Sequence, residues 1–469
     1  MSERADVWKK VLQFAVRPNW FRSRKGQSGI GTPSTNAGTV GKSLAWSFGS
    51  DFATKVATFT TTLIAVRSLD PIRFGQFTGL LAAALLAASF WDAGLTTLLT
   101  REYAARHLSI RQAVARSWIL RLKLAAVWIA IFACGVVIVT RGYPIGLGTV
   151  ACFAGGSLLF ATSAIPLALL RGALRFRHAG YAAALGRWLT AVISLGSIGV
   201  AGLDRRLQVL ALGFVFGEGF TLVVAAIEVN RVARRTASFS SVGAQVLTLR
   251  SALPFAANSI LSIAYNRFDV VILAALSSVT QLSFYAPASR IQDALYLLPS
   301  ALGMVALPIL AGLSSYAVEP LEARRLVRLL IVGGLVLALP VSICFTIFAP
   351  TIIAVILGPA YIGAVPATRI IVWFLPLAVV QAPLLAWLAA TGQAIQTTKV
   401  FVATFLAAGL MHLSLDWWWG ATGGAVATLS RDLVAVMILF LIVRKTGLLD
   451  APSSTNGLNQ KVMSAEAVQ

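Results

Sequence analysis

From Val40 to Val443 the chain alternates apolar runs of roughly 18–25 residues with short polar gaps. That is the length a helix needs to cross about 30 Å of hydrocarbon at about 1.5 Å per residue. The pattern predicts about twelve spans, near 44–66, 74–99, 118–139, 147–170, 180–202, 207–228, 252–276, 282–312, 328–349, 368–390, 397–416 and 421–443. A polar gap from Asn230 to Arg250 divides them six and six. The expected fold is an all-α integral membrane protein of about twelve transmembrane helices, in two six-helix bundles around a central cavity. Along the chain this gives a basic tail (1–39), a first bundle (40–229), a linker (230–250), a second bundle (251–444) and a tail (445–469). An even span count per half gives both halves one orientation, as parallel repeats about an axis along the membrane normal. A shift of 207 residues lays Leu69–Phe77 over Leu276–Phe284. In each segment a span ends at Leu, a brief outer turn follows, and an aromatic residue opens the next span.

Composition agrees with burial in lipid. The hydrophobic fraction is 58%, charged residues are 12% and mean hydropathy is +0.81, more apolar surface than a soluble domain can hide. The net charge of +22 resembles that of a nucleic-acid binder, but the bases sit between spans. Laying the 39 Lys and Arg on alternate sides leaves only Arg67, Arg73, Arg141, Arg205 and Arg206 on one of them. This positive-inside asymmetry places both termini in the cytoplasm, and the charge attracts anionic lipid headgroups rather than nucleic acid. Trp417, Trp418 and Trp419 fall where an outer interfacial belt would lie. Val7, Trp8, Val11, Leu12 and Phe14, beside Lys9, Lys10 and Arg17, predict a short helix on the inner leaflet. The basic, polar opening residues predict no cleavable signal peptide.

The sequence holds no Walker loop, zinc-ligand pattern or Gly-x-Ser-x-Gly elbow, so no nucleotide chemistry, metal or cofactor is expected. Cys134, Cys152 and Cys344 read as small packing residues inside spans, and His107, His178 and His412 are scattered singly. The chemistry rests on charges at span depth, each costing at least ~2.5–3.5 kcal/mol unless it meets partners or water. Asp51 and Lys55, four apart, share a helix face, and Arg290 and Asp293, three apart, can pair. Arg187 and Arg267 have no acidic residue three or four positions away. That favours them as cavity cations for an anionic headgroup, with Arg290 and, more weakly, Lys55, because a guanidinium donates paired hydrogen bonds to phosphate. Asp51, Asp92 and Glu218 are the candidate coupling carboxylates. Arg121 and Lys123 read as snorkelling side chains.

Several segments carry a resemblance. Arg67-Ser-Leu-Asp-Pro-Ile-Arg-Phe-Gly-Gln-Phe77, Asp92-Ala-Gly-Leu95, Arg101-Glu102, Arg171-Gly-Ala-Leu-Arg175, Arg267-Phe-Asp269, Phe284-Tyr-Ala286 and Ala288-Ser-Arg290 are its residues. Together they resemble polysaccharide exporters of the Wzx flippase type, in the multidrug/oligosaccharidyl-lipid/polysaccharide (MOP) superfamily. The resemblance implies an oligosaccharide on a polyprenyl diphosphate, flipped to the periplasmic leaflet of a bacterial inner membrane. It also implies membrane lipids, a polysaccharide polymerase and chain-length machinery as partners. Lipid II flippases of that superfamily usually carry fourteen spans, against twelve here.

Two competing readings remain. A cation-coupled multidrug or metabolite exporter would use an acidic site. A membrane glycan polymerase or ligase would need a large outer loop bearing reactive groups, yet the longest outer gap, Pro350 to Pro366, has no charged residue. The chain is accordingly expected to be no enzyme.

Overall fold

The computed structural model describes residues 37–104, 110–173, 175–235, 267–315 and 320–445. Most of the basic tail and its short helix, the linker from 236 on, most of the span at 252–276 and the C-terminal tail lie outside the described residues. The elements are α1 (Ala37–Ser68), α2 (Pro71–Asp92), α3 (Leu95–Ala104), α4 (Ile110–Thr140), α5 (Leu147–Gly172), α6 (Phe176–Gly199) and α7 (Leu203–Arg235). Then come a helical stretch α8 (267–276), α9 (Val279–Leu295), α10 (Leu297–Ser315) and α11 (Pro320–Ile356). A 3-10 turn (Pro359–Ala364) leads to α12 (Val365–Ile371), α13 (Phe374–Ala390) and α14 (Ala394–Lys445). No strand occurs among the described residues. Seven of their helices are long and apolar enough to cross a membrane, or eight when the bent run from Pro359 to Ala390 counts as one. The protein is an all-α, multi-pass membrane protein.

Local chemistry shapes these spans. The threonines of α1 would be costly in lipid, but Thr54, Thr58, Thr60, Thr61 and Thr62 each donate to the carbonyl four residues back. The predicted span 74–99 is broken: Ala93 (φ 41°) and Gly94 (φ 70°) are left-handed and end α2. The span predicted at 282–312 is likewise two helices, α9 and α10, meeting at Tyr296. At 52 residues α14 is far too long for one crossing. Gly420 (φ 54°, ψ −128°), in a region side chains rarely adopt, folds it into the two predicted spans. Trp417, Trp418 and Trp419 precede that kink and are exposed.

Two compact units organise the chain. The first lies within Met1–Leu295, Cys344–Val372 and Ala408–Leu429, the second within Tyr296–Ile343, Trp373–Ala407 and Ser430–Gln469. The second has its own apolar core of Leu310, Leu330, Leu384, Leu388, Leu439 and Val443. In the first, Phe74, Leu80, Phe153, Leu282, Tyr285 and Tyr361 are core residues. Cys134 and Cys344 are exposed and Cys152 half-buried, so the expected packing role fits only Cys152.

The motif at Asp70–Phe77 fastens the first unit. Asp70 caps α2 by accepting from the Arg73 amide at 3.0 Å, and Pro71 supplies the first helical residue. The Arg73 guanidinium then bonds Gln76, the Pro144 carbonyl and, at 2.7 Å, Asp204 at the start of α7. The second half repeats the device: Ser278 accepts from the Gln281 amide at 3.2 Å, and Gln281 Oε1 accepts from the Ala421 amide at 3.0 Å, just past the Gly420 kink. The caps thus correspond at a shift of 208 residues, which corrects the 207 expected from sequence. At that shift Gly75 matches Ser283, and the two touch where α2 and α9 cross. A Cβ on Gly75 would lie 2.9 Å from the Val279 carbonyl and 3.3 Å from Ser283 Cα.

Candidate substrate-binding site

The cations expected to face an anionic headgroup meet carboxylates from neighbouring helices. Arg187 of α6 has no acidic neighbour on its own helix, yet its Nη1 lies 2.7 Å from Glu218 of α7. Ser163 of α5 donates to the same carboxyl at 3.4 Å, and the guanidinium sits over the Phe160 ring. Small residues permit this close approach. Gly186 and Gly217 each face a threonine of the opposite helix, Thr221 and Thr190, and those hydroxyls bond their own helix backbones.

A second cluster joins α8 and α9. Arg267 Nη1 and Arg290 Nη1 both donate to Asp293 Oδ2, at 3.2 and 2.9 Å. Arg290 is buried, while Asp293 is nearly half exposed. The expected Arg290–Asp293 contact is present and is extended by Arg267 into a triad. Two cations share one carboxylate, and a guanidinium has five N–H groups to give. Asp269, two residues from Arg267, turns elsewhere: the Tyr285 hydroxyl donates to it at 2.5 Å and also meets Thr428 at 2.9 Å. Replacing Tyr285 with phenylalanine takes a donor from a buried carboxylate and should cost about 1.5–3 kcal/mol, read as a lower melting temperature in detergent.

Sequence reasoning missed part of this region. His412 is buried, with Nδ1 3.0 Å from buried Asp416, and Asp416 borders Gly424 together with Tyr285. The signal was present in the four-residue spacing of His412 and Asp416 on one helix face.

The remaining predicted residues lie apart. Asp51 is exposed on α1 and feels the charges of Arg171 and Lys55. Asp92 accepts from Thr96 and pairs with Arg121 at 2.5 Å. Arg121 does not snorkel: it is fully buried, donates to the Ala161 carbonyl at 2.7 Å and lies over Trp91. Its partner is 29 residues away, beyond any helix-spacing rule. Among the described residues no group of three or more His, Cys, Asp or Glu could hold a metal ion.

This helical arrangement is shared with known transporters. A lipid II flippase, MurJ, in an inward closed conformation superposes with a TM-score of 0.66 at 11% identity, covering 85% of this chain and 87% of that one. An inward-facing multidrug resistance MATE family transporter gives 0.64 at 16% identity, covering 86% and 96%. A transporter from Pyrococcus furiosus, described as having a binding pocket of reverse polarity, gives 0.58 at 14%, covering 87% and 97%. The fold is one that the chain shares with these transporters. Residues 40–314 match the family described as polysaccharide biosynthesis protein, and the chain belongs to that family. No curated protein matches it in sequence.

Proposed function

We propose that the chain flips a polyprenyl-diphosphate-linked oligosaccharide from the cytoplasmic to the periplasmic leaflet of a bacterial inner membrane. In this reading two six-span halves alternate access, both termini are cytoplasmic, and a polysaccharide polymerase and chain-length machinery act on the product. The observation that carries it is the sharing of Asp293 by Arg267 and Arg290. An arriving diphosphate can take up donors that one carboxylate does not saturate, in surroundings where charge-assisted bonds are strong. Arg187 and Lys55 are the further headgroup cations, though Glu218 already holds Arg187. Of the coupling carboxylates, Asp92 and Glu218 are each tied to an arginine, which leaves Asp51 as the candidate ion carrier. The family's link to polysaccharide synthesis and the shared fold with a flippase of a lipid support this reading. Buried Asp269 and Asp416 favour a second reading, a cation-coupled exporter like the MATE transporters of the same fold.

The test is translocation of a labelled polyprenyl-diphosphate sugar in vesicles containing the purified chain. Arg267→Ala and Arg290→Ala should each slow it by about 10- to 100-fold, the worth of one charge-assisted bond. Wild-type rates in both variants, or transport of organic cations instead, would end the proposal.

A further inference from the structure

Beside Arg290 an apolar slot of about 70 Å³ opens between α1, α9 and α11. Its described walls include Phe59, Leu63, Ile291, Phe345 and Ile352, and Arg290 is the one charged residue among the described lining. The other polar side chain there, Thr62, gives its hydroxyl to the Thr58 carbonyl of its own helix at 3.0 Å. A water needs two to four polar partners, and a sugar needs more, so the walls can satisfy neither. They suit hydrocarbon. The slot is less than half of the roughly 150 Å³ at which an apolar cavity admits benzene, so it takes only a few carbons. Arg290 lines the slot with apolar atoms only, and its guanidinium, which shares Asp293 with Arg267, suits an anion.

We propose that this slot holds the leading two or three carbons of an isoprenoid chain while Arg290 and Arg267 hold the diphosphate to which that chain is bonded. The inference rests on the headgroup reading above and adds recognition of the lipid itself. An isoprenoid diphosphate is the occupant because its hydrocarbon begins at the carbon bonded to the phosphate oxygen. In a glycerophospholipid, polar glycerol and two ester groups would fall at that place, where the described walls present no polar surface. The slot thereby selects the carrier lipid against the bulk lipids of the bilayer.

The test measures binding of three probes to the full-length chain in nanodiscs: dimethylallyl diphosphate, inorganic pyrophosphate and short-chain phosphatidic acid. Dimethylallyl diphosphate should bind on the order of tenfold tighter than pyrophosphate, since sheltering two carbons already supplies that factor. Filling the slot with Ala294→Phe should erase this difference and leave pyrophosphate affinity unchanged. Thr62→Leu, which fills it from α1, should do the same and serves if the first variant melts early. Equal binding of dimethylallyl diphosphate by wild type and both filled variants would overturn the slot while the cation site stands. Pyrophosphate affinity that ignores Arg290→Ala would instead overturn the headgroup reading. Phosphatidic acid that binds as tightly as dimethylallyl diphosphate, and is lost equally in Ala294→Phe, would refute the choice of an isoprenoid.

Discussion

Arg121→Ala should lower the stability of the folded protein by about 3–5 kcal/mol, because it leaves a buried carboxylate unpaired. The side chain is fully buried and meets three groups on two neighbouring helices: Asp92 and the Trp91 ring of α2, and the Ala161 carbonyl of α5. Trp91 in turn donates its indole N–H to the Arg121 carbonyl at 2.7 Å and packs against Trp118 and Trp128. Removing the guanidinium leaves a largely buried carboxylate without its cation and a cavity among indoles. Removing both charges is a different matter. Arg121→Met with Asp92→Asn should recover most of the loss, because an apolar pair of similar size avoids stranding a charge. Thermal unfolding of the purified variants checks this, and a single variant that melts with the wild type would refute the buried-pair account.

This arginine also marks the limit of what the chain's pattern tells. Hydropathy located the helices because lipid imposes one length and one polarity on each crossing, as α4, α5 and α11 follow closely. It did not locate their breaks. The stop at Ala93–Gly94 comes from two left-handed residues inside an apolar run, which a window average smooths over. Nor did it find charge partners. Arg290 and Asp293 could be paired from their spacing, whereas Arg187–Glu218 and Arg121–Asp92 join helices whose facing sides no periodicity fixes. His412 and Asp416 were within reach of the spacing rule, but an isolated histidine among apolar residues gave no reason to apply it. The motif at Asp70–Phe77 was visible, and its physical content was not. Each polar residue there binds a backbone or side-chain group of another turn, so the segment is an outer fastening, repeated by Ser278 and Gln281 with different side chains. Because the repeat conserves hydrogen-bonding positions and not residue types, sequence comparison set its register one residue off.

Glycine offers a sharper contrast, because the same substitution should have opposite signs at two helical sites. Alanine is the better helix former by about 1 kcal/mol, so Gly→Ala stabilises wherever the added methyl has room. At Gly155 in α5 nothing among the described residues lies within 4 Å of the new Cβ, and Gly155→Ala should raise stability by about 0.4–1 kcal/mol. At Gly217 in α7 the Cβ would collide with Thr190 Oγ1 and stand 2.7 Å from the Gly186 carbonyl of α6. The hydroxyl can turn away, but the carbonyl belongs to a helix and cannot. Gly217→Ala must therefore push α6 from α7, with a loss of about 1–3 kcal/mol or more despite the gain in propensity. Relieving only the hydroxyl, in Gly217→Ala with Thr190→Ala, should leave most of that loss in place. Separation also reaches the site, since Arg187 adjoins Gly186, Glu218 adjoins Gly217, and their 2.7 Å contact exists only at this helix spacing. Thermal melts of the three variants, with spin labels reporting the α6–α7 distance, decide the matter. If Gly155→Ala and Gly217→Ala shift stability alike, backbone contact between these helices does not set the Arg187–Glu218 pair.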